Sequence, residues 1–514
     1  MIMTKELEII KKEFPTEGRK IPLEEIRSKT LQDYHQYMRD YPDSHYDNLT
    51  HEQLVQRLAE LNEYKDDGLT EEKLRLKLKK LERTRHINIW HDNSCVANHG
   101  YLLCMVAILY DPAIYLTNEE YKTKTGKTVD VQDVVEKPHL HFLARCRSSE
   151  DEQIVYSETR LSCLQKTATP LKSPDGNIIK DVPRFFKGDS PARQFEDGQQ
   201  EGGHFFCNCG CHALMIDDLA HTQGCPLYSI QERVDIVMKH GTVCRRKTLK
   251  GKTKPLAGLS RPDLEQELAA RGIYDGKTKQ DLQRLLEEMH AIQRLPALLV
   301  CKPKAPLNEL HLENYEILPV EPIHDVGHHI ENLLLELPHH LSTTEKQAMQ
   351  ESIASCMGTK ETKRGCDYRE TLIKMTSYLQ QKKLLTDKPM EALETLTELQ
   401  RIIYTSDEAR SPQLVLRYNN QAWYHAILLK QLIKADKMKK LTTRKMAGVY
   451  FHDLVAHGGD MLRIVSGRSA NAEEEERNFK HHQDNYKENK QLQRVPACPK
   501  CVAESPSPSK EKEE

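Results

Sequence analysis

A chain of 514 residues with 38% hydrophobic side chains has room for roughly two to four structural units, which excludes disorder throughout. Its 75 basic and 77 acidic residues nearly cancel, so any basic surface must be local. Met1 to Phe14 lacks the apolar core of a signal peptide and no run approaches the roughly 18 apolar residues of a membrane span, so a soluble intracellular protein with no membrane partner is expected.

Residues 1–85 are polar and helix-prone, with apolar spacing at Leu54, Leu58 and Leu61 and again at Leu74, Leu78 and Leu81. From His86 the pattern changes to period two, as Ile87, Ile89 and Trp90 alternate with polar residues in a strand that Asp92 ends. The apolar run Tyr101–Tyr110 predicts a second strand and a hairpin. His139–Cys146 gives a third strand, 150–165 a helix, and Val182–Lys187 a fourth strand that stops at Gly188-Asp189. Strand signals then fade, and helical patterns occupy 322–341, 343–357, 366–383, 389–404, 411–440, 443–458 and 472–490. The terminal 496–514 segment, rich in Ser, Pro, Lys and Glu, predicts a disordered tail. Cys498 and Cys501 near its start form a lone pair that carries little.

Cysteine number and placement point to metal ligation. Fourteen cysteines, several clustered with histidine, suit a reducing compartment better than a disulfide framework. Within 201–243, Cys207, Cys209, His221 and Cys225 can supply a tetrahedral site for structural zinc, with Cys211 as a substitute. Buried thiols with unrelated histidines are the plainer alternative. His324 and His328 also have metal-compatible spacing, but Ile323, Val326, Ile330, Leu333, Leu334 and Leu337 favour a packed amphipathic face.

Between 244 and 295 lie a basic cluster, including Arg245, Arg246, Lys247, Lys250, Lys252 and Lys254, and a predicted helical pair. Ser260 caps a helix carrying Leu264 and Leu268, and Gly272 ends it; a second helix from about Lys279 carries Leu282, Leu285 and Leu286. The stretch Gly276-Lys277-Thr278-Lys279-Gln280-Asp281-Leu282-Gln283-Arg284-Leu285 resembles the second half of a SAP domain, with one extra residue between Gly276 and Lys279. The resemblance implies DNA binding, with Arg245, Arg246, Lys247, Lys277, Lys279 and Arg284 placed for phosphate contacts. An ordinary helical hairpin would show the same leucine spacing.

Asp92 and Asp189, each at a strand end in a β-β-β-α-β order, bring two oxygen ligands of the kind Mg²⁺ takes to neighbouring strand ends. A third acid must come from elsewhere. The helix starting at Asn471-Ala472 offers Glu473 as the candidate, in a run through Glu476 where any of the four could serve. This order of Asp92, Asp189, a Cys/His segment, a long helical stretch and a final Glu resembles DDE transposases of the RNase H superfamily, of the CACTA type or related. Short motifs, Trp90-His91-Asp92, Gly188-Asp189-Ser190-Pro191-Ala192 and Glu321-Pro322-Ile323-His324-Asp325, are similar to transposon-encoded proteins. The resemblance implies an α+β chain, mainly helical, with a small RNase H-like mixed sheet (86–200) split by a large helical insertion (296–440) and completed by final helices (441–495).

Two functions follow as expectations. One is DNA strand cleavage and transfer with Mg²⁺ at Asp92, Asp189 and Glu473. The other is a non-catalytic DNA or chromatin adaptor in which the SAP-like pair binds DNA and the helical half recruits protein partners. The basic cluster and DNA binding imply a nuclear location in a eukaryotic source.

Overall fold

The structure is a computed structural model that describes residues 46, 48–61, 68–96, 99–111, 126, 138–146, 171–172, 177–197, 207, 246–249, 252–255, 259–269, 278–290, 319–358, 365–406, 409–433, 446 and 448–488. The expected helix at 150–165 and the tail at 496–514 lie outside these residues. The described part is mainly helical with small sheets.

A helical hairpin, α1 (His51–Glu60) and α2 (Glu71–Leu81), precedes the sheet. Thr50 and Gln53 form a reciprocal capping box at its start, satisfying backbone N–H groups that have no partner within the helix. Its leucines close on Tyr46 in a core of their own, Leu54, Leu58, Leu74 and Leu78. The Tyr46 hydroxyl donates to the Glu82 carbonyl at 3.0 Å, and Arg57 pairs with the Glu82 carboxylate, tying the hairpin to the first strand.

The sheet contains β1 (Glu82–Val96), β2 (His99–Tyr110), β3 (His139–Cys146), β4 (Leu171–Lys172) and β5 (Ile178–Lys187) in the order β3-β2-β1-β5-β4. β2 pairs antiparallel with β1 and β3, and β5 runs parallel to β1. Edge strand β4 is a two-residue antiparallel addition to β5. A parallel neighbour needs a crossover connection, and the long span between β3 and β5 provides the chain for it.

Helix α3 (Ser190–Asp197) follows β5 directly. Next comes a hairpin of β6 (Arg246–Leu249) and β7 (Lys252–Pro255), where the sequence showed a basic cluster without a strand signal. Each strand is four residues long, too short for a two-residue periodicity to stand out. Helices α4 (Arg261–Ala269) and α5 (Lys279–His290) form the expected pair, packed through Leu259, Leu264, Leu268, Leu282 and Leu286.

The largest core belongs to α6 (Pro322–Glu336), α7 (Thr343–Met357), α8 (Gly365–Lys382), α9 (Asp387–Ile403) and α10 (Pro412–Leu432), with later segments packed against them. Start signals are chemically explicit: Ser342 and Glu345 form a capping box for α7, and Ser411 caps α10 with Pro412 in its first turn. Gly358 ends α7 at φ 62°, a backbone state that a side chain disfavours.

After α10 come α11 (Val449–His452), a π-helical turn (Asp453–His457), α12 (Gly458–Ile464), α13 (Gly467–Ala470) and α14 (Glu473–Glu488). α14 returns to the sheet, where Ala472 and Phe479 pack with Trp90, Leu103 and Met105. The Trp90 and Phe479 rings meet edge to face at 5.8 Å. No helix among the described residues is long and apolar enough to cross a membrane.

Candidate functional site

The register between β1 and β5 sets out the acidic site. Trp90 is paired with Lys187 in the parallel ladder, and Asp92 and Asp189 each lie two residues further along in the same direction. With neighbouring strands about 4.8 Å apart and side chains alternating with period two, both acids stand side by side just past the point where the β1–β5 pairing ends. β1 itself continues to Val96, so Asp92 lies within a strand whose pairing to β5 has ended and not at the strand's own end, as the sequence suggested.

Of the four consecutive glutamates, Glu476 is the one whose carboxyl is raised by the charges of Asp92 and Asp189. Burial raises the Glu476 carboxyl, and the charges of Asp92, Glu321 and Asp189 add to that, overcoming the opposing pull of His324 to bring it to about 7. Glu473 is turned away to Arg369 at 3.3 Å and Arg477 at 2.8 Å. Helix rotation explains the difference: Glu476 is four residues after Ala472 and three before Phe479, on the face that meets Trp90. Glu475, on another face, is buried against Lys187 at 2.6 Å, and Lys187 also donates to the Asn471 carbonyl at 2.9 Å.

Glu321 fastens the start of α14 to the start of α6. Its fully buried carboxylate accepts from the backbone N–H groups of Ile323 and His324 and, across the chain, from Ala472 N–H at 2.8 Å. His324 bonds to Glu321 through Nδ1 and places Nε2 3.7 Å from Glu476. Burial lowers its basicity, but Glu321, Glu476 and Asp189 more than offset this and raise the imidazole to about 9. A cationic ring therefore stands beside the carboxylates. His328, one turn on, pairs with Glu331 and stacks on Tyr450, so the His324 and His328 rings serve different partners.

Helix α3 is anchored at both ends of its inner face. Asp189 caps it, its Oδ1 accepting from Ala192 N–H at 2.8 Å. Next to Asp92, His91 is buried between Phe186 and Phe195 and bonds to Glu196. Arg193, 1% exposed, donates from Nη2 to both oxygens of Asp325, at 2.8 and 2.7 Å, and to Asp453 at 3.1 Å. Burial drives both aspartic acids upward against the pull of Arg193.

Asp453 leads to a second cluster. Cys207, His452, Asp453 and His457 are all buried, and one ligand atom from each lies within 4.8 Å of the others. Cys207 Sγ and His452 Nε2 each stand 3.1 Å from His457 Nε2. This group could hold a metal ion. Of the sequence-derived zinc set, Cys207 belongs to it, while Cys209, His221 and Cys225 lie outside the described residues. Sequence spacing hides these histidines because five residues of α-helix turn through about 500°, leaving such a pair on different faces. The π turn, with its i→i+5 bonding, brings His452 and His457 to one side. The available signal was His452-x-x-x-x-His457 followed by Gly458-Gly459, in which any Cβ would strike Tyr418 or Asn419.

Of the DNA-contact candidates, Lys279 is exposed in the first turn of α5, Arg284 lies within α5, and Arg246 and Lys247 lie in β6. Arg245 and Lys277 are outside the described residues.

No protein-family model matches the sequence, and no curated protein matches it.

Proposed function

We propose that the chain is a DNA-binding protein of the DDE-transposase kind, with an RNase H-like sheet divided by the helical insertion and Mg²⁺ held by Asp92, Asp189 and Glu476. The reading is supported by the matched positions of Asp92 and Asp189 two residues past the paired Trp90 and Lys187, and by the charges of both acids raising the Glu476 carboxyl. Mutual repulsion among half-buried carboxylates is relieved by a divalent cation, and oxygen-only donors suit Mg²⁺. When bound, Mg²⁺ supplies activation of the attacking hydroxyl and stabilisation of the leaving oxygen of a phosphodiester. The chain's residues orient and balance charge: Asp189 is aimed by its capping bond, Glu476 by the packing of α14 on Trp90, and His324 offsets negative charge beside them. DNA is held through the basic β6–β7 ribbon and the SAP-like pair, with Arg245, Arg246, Lys247, Lys277, Lys279 and Arg284 on phosphates. For the buried Cys/His/Asp group we assign zinc in a structural role, since a thiolate with imidazoles is the donor set that zinc favours.

The test uses the full chain with Mn²⁺ as probe in paramagnetic-resonance titrations, and supercoiled plasmid with Mg²⁺ as substrate. Asp92→Ala, Asp189→Ala and Glu476→Gln are expected to lose Mn²⁺ binding and nicking, and Glu473→Gln to keep both. A wild-type chain that binds no Mn²⁺ overturns the reading. The alternative, a non-catalytic SAP-type adaptor whose helical half recruits protein partners, is favoured by the self-contained core of α4 and α5. Salt-dependent DNA binding without Mn²⁺ binding selects it.

A further inference from the structure

We propose that zinc at Cys207, His452, Asp453 and His457 sets the position of Asp189, acting through Arg193; this rests on reading Asp189 as one of the cation-holding acids. The connection is short, and it is buried up to the half-buried Asp189. Asp453 belongs to the four-residue donor group and also accepts from Arg193 Nη2 at 3.1 Å. Arg193 N–H in turn bonds to the Asp189 carbonyl at 3.0 Å, closing the first turn of α3. A displacement of the guanidinium is therefore passed to the residue that caps the helix and presents its carboxylate to the acidic site.

The donor group fits zinc in size and chemistry. Zinc–nitrogen and zinc–sulfur bonds of about 2.0–2.3 Å in a tetrahedron put neighbouring donors roughly 3.3–3.6 Å apart. Cys207 Sγ and His452 Nε2 each lie 3.1 Å from His457 Nε2, and all four donor atoms lie within 4.8 Å of one another, so small movements would bring them to a tetrahedron. A thiolate and two imidazoles select zinc over magnesium or calcium. A divalent ion would also join Arg193 in opposing the acids Asp453 and Asp325 in a region closed to water. Without the ion the shared carboxylate Asp453 loses its second anchor and is held by Arg193 alone, which also serves Asp325.

Arg193 is thus a positioning residue, comparable to the outer partners that hold metal ligands in place, whose loss weakens metal affinity by about 10–100-fold. The experiment measures zinc content by elemental analysis of the full chain and Mn²⁺ affinity at the acidic site by paramagnetic resonance. The wild type is expected to hold one zinc per chain, and Cys207→Ser and His457→Ala to lose it. Arg193→Gln is expected to keep its helix content and to hold zinc about 10–100-fold more weakly, and its Mn²⁺ affinity is expected to fall at least about tenfold even with zinc in excess, with partial recovery in Arg193→Lys. If Arg193→Gln does not fold, zinc is stripped from the wild type by chelation and desalting, and the same loss of Mn²⁺ affinity is expected. Zinc-free wild type overturns the metal assignment. Unchanged Mn²⁺ affinity in Arg193→Gln, or in stripped wild type, overturns the coupling and leaves the acidic site standing. Absence of Mn²⁺ binding in zinc-loaded wild type overturns the acidic-site reading and the coupling with it.

Discussion

Acidification from pH 7.5 to 5.0 should weaken the helical half through one buried pair, His329 and His425. Both are fully buried, with their Nε2 atoms 3.1 Å apart. Thr395 donates its hydroxyl to the Ala392 carbonyl and lies 3.1 Å from His425 Nδ1, which assigns the proton of neutral His425 to Nδ1. His425 Nε2 then accepts from His329, and protonating it would set one N–H against another in a site closed to water. Burial accordingly lowers His425 to about 4, and burial with the charge of His425 lowers His329 well below its ordinary value. Because the unfolded chain binds these protons near pH 6.5 and the folded chain does not, stability is complete above pH 6.5 and falls with pH toward the folded values. For His425 alone the loss by pH 5.0 is about 2 kcal/mol, and His329 acts in the same direction. Urea unfolding at the two pH values, followed by fluorescence, reads the effect, since Trp423 lies two residues from His425 on α10. The His329→Gln/His425→Gln double variant should lose that part of the pH dependence, leaving the contributions of the other histidines. An identical pH dependence in wild type and double variant would refute the argument.

Glu321→Ala should destabilise the chain by at least about 2 kcal/mol in denaturant titrations, because a buried carboxylate that accepts from Ile323, His324 and Ala472 is lost at two helix starts. Gly467→Ala should cost about 1–3 kcal/mol by the same method, since its Cβ would stand 2.3 Å from the Ile403 carbonyl oxygen. Leu264→Ala should melt the α4–α5 pair at a cost of about 2–5 kcal/mol and abolish DNA binding, as read by fluorescence anisotropy. Lys279→Ala should leave the fold intact and reduce the salt slope of DNA binding by about 1.

Local chemistry made much of the fold legible. Apolar spacing and capping side chains mark α6 to α10 because a helix satisfies its backbone within itself and needs only an apolar face to dock. The alternation around Ile87, Ile89 and Trp90 likewise marks β1, and Asp92 and Asp189 stand out from the strand signals beside them. Tertiary structure decided the rest. Four consecutive glutamates are equivalent in sequence; only the rotation of α14, fixed by Ala472 and Phe479 against Trp90, turns Glu476 to the acids and Glu473 to arginines. Cys207 is 250 positions from His457, and no local pattern relates them until the π turn and the packing of Gly458 and Gly459 on α10 bring that segment in. Periodicity records which face of an element is apolar, whereas a site depends on which elements meet and at what rotation, and that is set by long-range packing.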